Sequence, residues 1–516
     1  MQVSRLAMGE EIEAMKFWNR RELIQSGVSV GALAAMGSLA VAASATNPDP
    51  PSDHSTTEHH FRERGYYITF MRAPLFTFET WKGILDAVRQ DGGNLVILWM
   101  GGAFPSRKFP ITWQYNSAHE NNRHNFAGEL IDYGHCLGLK VLLCITPYGY
   151  DGVNQFAIEH PELKAMNKEG NYIAKFGLDA WGFNLNPYRP EARRFMFEYT
   201  AEMLDFYPNA DGLLLESSDY AISYCNDCYR SYYDVEFDFV RGISDELWRR
   251  KPDATIAVYP HYFGDNEVPG LNAKGAKQEF DPRWTLFFTP HSTQLNPELI
   301  RQAKSSFYWD PSPTFGRPKL IQAAAQRAKQ AGFTGFVPSF EPWNFTFSGP
   351  DMGEAFLIGQ RCSPFGFGWL KPGETPVNEL FTRMDRLAYR EYSRDPDLPF
   401  EEFSRILSAE LFQGSASEAL FDDLLFVEES FFLDRTWDST SAIATPSYVK
   451  GRIDLGLLGP AKLTEYRDRL VRIAEIAHLY SAARDQATEE LARTANWITK
   501  RWAESPDSGI LERHLR

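Results

Sequence analysis

The stretch "NADGLLLESSDYAISYCNDCYRSYY", residues 209–233, decides the reading of the fold. Three leucines, Leu213 to Leu215, run straight into Glu216. A short unbroken apolar run reads as a strand buried on both faces, and such strands belong to parallel sheets covered by helices. Seven further runs share this character: "YYITFMR" (66–72), "NLVILWM" (94–100), "KVLLCIT" (140–146), "TIAVYPHYF" (255–263), "WTLFFTPH" (284–291), "SSFYWDPS" (305–312) and "TGFVPSFE" (334–341). Between most of them lie amphipathic stretches with apolar residues three and four apart, such as "FETWKGILDAVRQDG" and "PKLIQAAAQRAKQAG". Strand–helix alternation repeated eight times predicts an α/β fold, a (β/α)8 TIM barrel over 66–345. The connection 264–283 is the one that reads as loop.

Outside the barrel the chain divides three ways. Residues 1–45 read as a twin-arginine-like export signal peptide. Lys16, Arg20 and Arg21 precede a weakly apolar Gly/Ala segment, and Ala43-Ser44-Ala45 fits the cleavage site. Glu10, Glu11 and Glu13 do not suit a signal, which makes Met15 an alternative start. Residues 46–65 form a polar linker. Residues 346–516 carry helical patterns, including a long one from Pro460 to Glu504, and predict an all-α helical C-terminal domain. Its apolar stripes would bury against the barrel or a second subunit, so a homodimer through this domain stays open. A periplasmic or secreted location is expected, with no membrane association after cleavage.

A net charge of -15 repels phosphate backbones, so nucleic acid is not an expected partner. Five cysteines in 516 residues do not make a disulfide scaffold. Cys136 and Cys144 read as buried thiols, and Cys362 stands alone. Cys225 and Cys228 read as a local disulfide or a packed pair.

Strand ends locate the chemistry, because the loops after the strands of such barrels build the pocket. Glu216, Asp310 and Glu341 close the fourth, seventh and eighth strands. Facing carboxylates are what glycoside hydrolysis needs: one protonates the leaving oxygen, another activates water or attacks the anomeric carbon. An aromatic share of 14% supplies ring faces for pyranoses. Trp99, Tyr148, Trp309 and Trp343 are the candidate sugar walls, with Arg72, Asp219, His261 and His291 as polar contacts. A metal-dependent barrel hydrolase would need a His-x-His pair on the first strand, which "YYITFMR" lacks, so neither metal nor cofactor is expected. A barrel that binds carbohydrate without turnover is the main competing class, and a metal-dependent barrel hydrolase using His261 and His291 is the other alternative.

Two blocks carry a family resemblance. "ESSDYAISYCNDCYRSYYDVEFDFVRGISDELWRRKPDATIAVYPHYF" (216–263) and "NELFTRMDRLAYREYSRDPDLPFEEFSRILSAELF" (378–412) resemble segments of bacterial glycosidase-like proteins related to the α-glucuronidases. The resemblance implies an acid at Glu216 and a base site shared by Asp310 and Glu341. Two acids holding one water predict inversion, with carboxyl groups about 6.5–9.5 Å apart. The expected substrate is a polysaccharide or oligosaccharide, with uronic-acid-containing glycans as one class.

Overall fold

The computed structural model describes residues 60–68, 77–114, 124–149, 152–166, 170, 184–216, 232–263, 279–287, 297–309, 318–340, 380–414, 416–431, 446–454, 456, 458–483 and 485–516. All of them belong to one compact unit, His59–Arg516. The export segment, residues 46–59 of the linker, Cys225, Cys228 and Cys362 lie outside the described residues. Among the described residues no helix is long and apolar enough to cross a membrane.

The eight apolar runs are eight parallel strands: β1 (Glu63–Ile68), β2 (Leu95–Trp99), β3 (Lys140–Ile145), β4 (Gly212–Leu215), β5 (Thr255–Val258), β6 (Thr285–Phe287), β7 (Ser305–Tyr308) and a β8 in two pieces, Gly335–Phe336 and Ser339–Phe340. β1 pairs with β2 on one side and with both pieces of β8 on the other, so the sheet closes and no edge is left. The register sets the geometry. Tyr67 lies level with Ile97, Leu142, Gly212 and Thr255. Two residues further along β5, Ala257 lies level with Thr285 and Ser305; two further along β7, Phe307 lies level with Gly335 and so with Glu63. The circuit advances four residues and returns four residues short of Tyr67 on β1. That net slip of eight is the shear of a TIM barrel, about 8.

The closed sheet explains the leucine run. All five residues of β2 and all four of β4 are buried, because one side chain in two fills the lumen and the next packs under a helix. Each fully buried aliphatic side chain contributes about 1.5–3 kcal/mol. The helix Phe78–Gln90 presents Trp81, Ile84, Leu85 and Val88 to the strands. It starts where Thr77 Oγ1 accepts a hydrogen bond from the Thr80 amide at 3.2 Å, satisfying one unpaired donor of the first turn.

The helix Leu380–Arg394 takes the eighth position of the outer ring. It packs on the Pro318–Ala331 helix, sets Tyr389 edge-on to Tyr66 of β1 with ring centroids 5.4 Å apart, and reaches Phe336 of β8. Arg386 then holds Asp91, just past the first outer helix, through Nε–Oδ2 at 2.6 Å and Nη2–Oδ1 at 3.0 Å.

Two sequence expectations are corrected. The pattern from Pro460 to Glu504 is not one helix but two packed together, Pro460–Leu479 and Gln486–Glu504. The second restarts at Asp485, whose side chain accepts from the Thr488 amide at 2.9 Å. Cys136 is exposed rather than buried. It is the last residue of the Phe126–Cys136 helix, where the inward-facing stripe has already turned away.

Candidate active site

The alternation along each strand decides which side chains enter the lumen. Contacts between strands that are not neighbours identify them. Tyr67 of β1 meets Phe287 of β6 at 6.1 Å and Trp309, just past β7, at 5.6 Å between ring centroids. Tyr259, just past β5, stacks on Phe287 at 5.5 Å with planes 9° apart. These rings form an aromatic layer across the mouth end of the barrel, filled as the layers of such barrels are.

Glu216 stands beside this layer. It follows Leu215 at the C-terminal end of β4, where its amide donates to the Ile145 carbonyl at 3.0 Å, one last rung of pairing with β3. The residue is 7% exposed. Its Oε2 accepts from the Tyr67 hydroxyl at 2.9 Å and the Thr146 hydroxyl at 3.0 Å, with the Cys144 thiol at 3.7 Å. Side chains from β1, from β3 and from the residue after β3 therefore converge on one oxygen of an acid at the end of β4. Cys144 is fully buried, and burial followed by the neighbouring Glu216 charge pushes its thiol well above the ordinary range. It is a hydrogen-bonding thiol, not a nucleophile.

The loop after β3 is built tightly. Tyr148 has φ 59°, uncommon for a residue with a Cβ. Gly152 has φ 89°, and a Cβ there would stand 2.8 Å from Gly102 Cα in the loop after β2. The loops after β2 and β3 thus touch through backbone. Tyr148 does not face the Glu216 side. Its ring contacts Phe239 on the Tyr232–Arg250 helix at 6.0 Å, its amide donates to Met196 Sδ at 3.5 Å, and it is fully buried. The turn at positive φ follows the last lumen-facing residue, Thr146, and the Tyr148 ring packs in the helix layer.

Trp309 enters the lumen, but its ring packs on Phe287, with planes 27° apart, and it is 8% exposed. Trp99, level with Cys144 across the β2–β3 pairing, is 3% exposed. Both serve as floor rather than as open stacking faces. Of the other sequence candidates, Arg72, Asp219, His291, Asp310, Glu341 and Trp343 lie outside the described residues, as does the side chain of His261, which falls in the short turn Pro260–Phe263. Among the described residues no three His, Cys, Asp or Glu side chains gather as a cation site.

Reading strand ends alone missed Tyr67, Thr146, Cys144, Tyr259 and Phe287. The available signal was parity. Tyr67 is level with Ile97 and Leu142, so it shares a face with Cys144 and Thr146, and period-two alternation carries that face along every strand.

No protein-family model and no curated protein sequence matches the chain. Among solved structures it is similar to a GH138 enzyme targeting pectin rhamnogalacturonan II, at 12% identity and TM-score 0.51, covering 89% of this chain and 58% of that one. This chain therefore spans less than two thirds of that enzyme. A mutant O-GlcNAc hydrolase of Thermobaculum terrenum matches at 10% identity and TM-score 0.46, covering 88% of this chain and 84% of that one. A chitobiase of Flavobacterium johnsoniae matches at 9% identity and TM-score 0.45, covering 88% and 73%. At 12% identity the likeness to the GH138 enzyme is one of fold alone.

Proposed function

We propose that this protein is a glycoside hydrolase in which Glu216 is the proton donor to the leaving oxygen. The observation that carries the reading is the placement of Glu216. It is a buried carboxyl at the C-terminal end of a barrel strand, held on one oxygen by two hydroxyls and a thiol beside an aromatic floor. A water-poor site of this kind strengthens electrostatic interactions with charge that develops in the transition state. Asp310 and Glu341, at the ends of β7 and β8 in the sequence, share the base role and activate one water, giving inversion. The resemblance to α-glucuronidase relatives and the likeness to an enzyme targeting pectin rhamnogalacturonan II make uronic-acid-containing and pectic glycans the first substrates to try. The signal-like N-terminus makes the enzyme exported, and a mature protein beginning near residue 46 on N-terminal sequencing tests that part.

The function is tested by a screen of polysaccharides and aryl glycosides followed by Glu216→Gln. Gln keeps the shape and cannot deliver a proton. Turnover of substrates with poor leaving groups should fall about 10²–10⁴-fold, while aryl glycosides with acidic leaving groups lose far less. Equal losses on both, or none, would remove Glu216 from the acid role. Tight oligosaccharide binding without turnover would favour a binding barrel instead.

A further inference from the structure

We propose that Tyr67 is the positioning residue of Glu216, with Thr146 as a second support, and that together they fix the plane and the proton affinity of its carboxyl group. The inference rests on the glycosidase reading for its kinetic form, and on geometry alone for its physical one.

The hydroxyls of Tyr67 and Thr146 and the thiol of Cys144 all donate toward Oε2, at 2.9, 3.0 and 3.7 Å. An oxygen meeting three donors is held by its lone pairs, as a carboxylate oxygen is. The terminal torsion of a glutamate is otherwise broad, and donors on one oxygen fix the plane of the carboxyl. Their own positions are firm. Tyr67 is 2% exposed, lies on a central strand, and is braced by Phe287 and Trp309. Thr146 is 3% exposed, and its β-branch stiffens χ1. A functional group held from rigid strands keeps its geometry better than one on a loop.

The same donors set the proton affinity of the acid. Hydrogen bonds donated to a carboxylate favour its charged form. Removing one makes Glu216 hold its proton more tightly. Titratable groups that face it from the described elements include Tyr67 from β1 and Cys144 from β3, with Tyr259 across the aromatic layer. Asp219, Asp310, Glu341 and the side chain of His261 lie outside the described residues.

The test is Tyr67→Phe, which keeps the ring, with Thr146→Val as an isosteric second variant. On a glycoside the wild type turns over, kcat/KM should fall about 10–100-fold, by analogy with the loss of outer-shell partners that orient metal-binding side chains. The alkaline limb of the pH–rate profile should move to higher pH in both variants. A structural role would lower the rate and leave the limb in place, and that result overturns the proposal. Movement of the acidic limb instead keeps Tyr67 as the positioning residue while removing Glu216 from the acid role. The second readout needs no turnover: a ¹³C carboxyl titration of Glu216 by NMR. Its midpoint should be higher in Tyr67→Phe than in wild type even if no glycoside is ever cleaved. Identical titrations in the folded proteins would overturn the inference independently of the enzyme's substrate.

Discussion

Two carboxylates, one half-buried and one buried, stand at opposite ends of this barrel. Asp91 lies just before β2, at the N-terminal end, and Glu216 just after β4, at the C-terminal end. Asp91 meets a guanidinium, that of Arg386, in a bidentate pair whose side chains are 11% and 13% exposed. Glu216 meets the hydroxyls of Tyr67 and Thr146 and the thiol of Cys144. A guanidinium matches a carboxylate in charge and shape, and such a pair serves to fasten. Hydroxyl donors orient an acid without supplying a counter-charge, which suits a group that must gain or lose a proton. The difference teaches where to look for chemistry: the Asp91 pair docks the outer helix that follows β8, and the Glu216 cluster lies at the mouth end.

The comparison breaks most visibly if the fastening end is cut. Arg386→Ala leaves the half-buried Asp91 without its cation; breaking a fully buried pair from one side costs about 3–5 kcal/mol and an exposed pair about 0–1, so a loss of about 2–4 kcal/mol is expected here. Urea unfolding should show that loss, with kcat/KM of the folded fraction nearly unchanged. Burial already raises the Asp91 pKa, with the Arg386 hydrogen bond and charge acting against that rise. Without Arg386 it should rise further. The folded variant then takes up a proton more readily than the unfolded chain, so its deficit against wild type should be largest at neutral pH and shrink in mild acid as Asp91 is neutralised. A deficit independent of pH would mean that packing, not charge, carries the effect. Asp91→Leu combined with Arg386→Met should recover most of the loss, as apolar replacement of a whole buried pair does.

A smaller effect is expected at the mouth. Gly152→Ala places a methyl at φ 89° and 2.8 Å from Gly102 Cα. A strained backbone position costs about 1–3 kcal/mol. Because it also separates the loops after β2 and β3, this change should lower stability and turnover together, unlike Arg386→Ala. Unchanged turnover would show that these loops do not shape the pocket.

The smallest effect lies far from both ends. Asp485→Ala removes the cap that restarts the last long helix and should cost about 1 kcal/mol. Activity should be untouched. A large loss of activity would mean that the helical third reports to the barrel mouth, and the division between fastening and chemistry would fail.

The eight strands were legible because a strand covered on both faces must be apolar along its whole length, and few other elements look like that. The amphipathic helices were legible for the complementary reason: Trp81, Ile84, Leu85 and Val88 return to one face of their helix. The outer helix that follows β8 was harder to read. Leu380–Arg394 is separated from β8 by a long stretch of chain, and only its contacts with Tyr66, Phe336 and Asp91 assign it to the barrel. The break at Asp485 was hidden in a continuous apolar pattern, since one capping aspartate barely changes the periodicity.

For the candidate site, the chain alone determined that an acid follows the leucine run. A residue after a buried parallel strand has to emerge at the strand's C-terminal end, whatever the remaining topology. Tertiary structure decided the company Glu216 keeps. Tyr67 is 149 residues away and Thr146 is 70 away. They reach Glu216 only because closure of the sheet at its particular register brings their lumen-facing rows to one level. The same closure sent Tyr148 outward into the helix layer and laid Trp309 against Phe287. Side-chain chemistry is local and survives in the sequence. The shear that decides which side chains share a level belongs to the whole ring of strands at once.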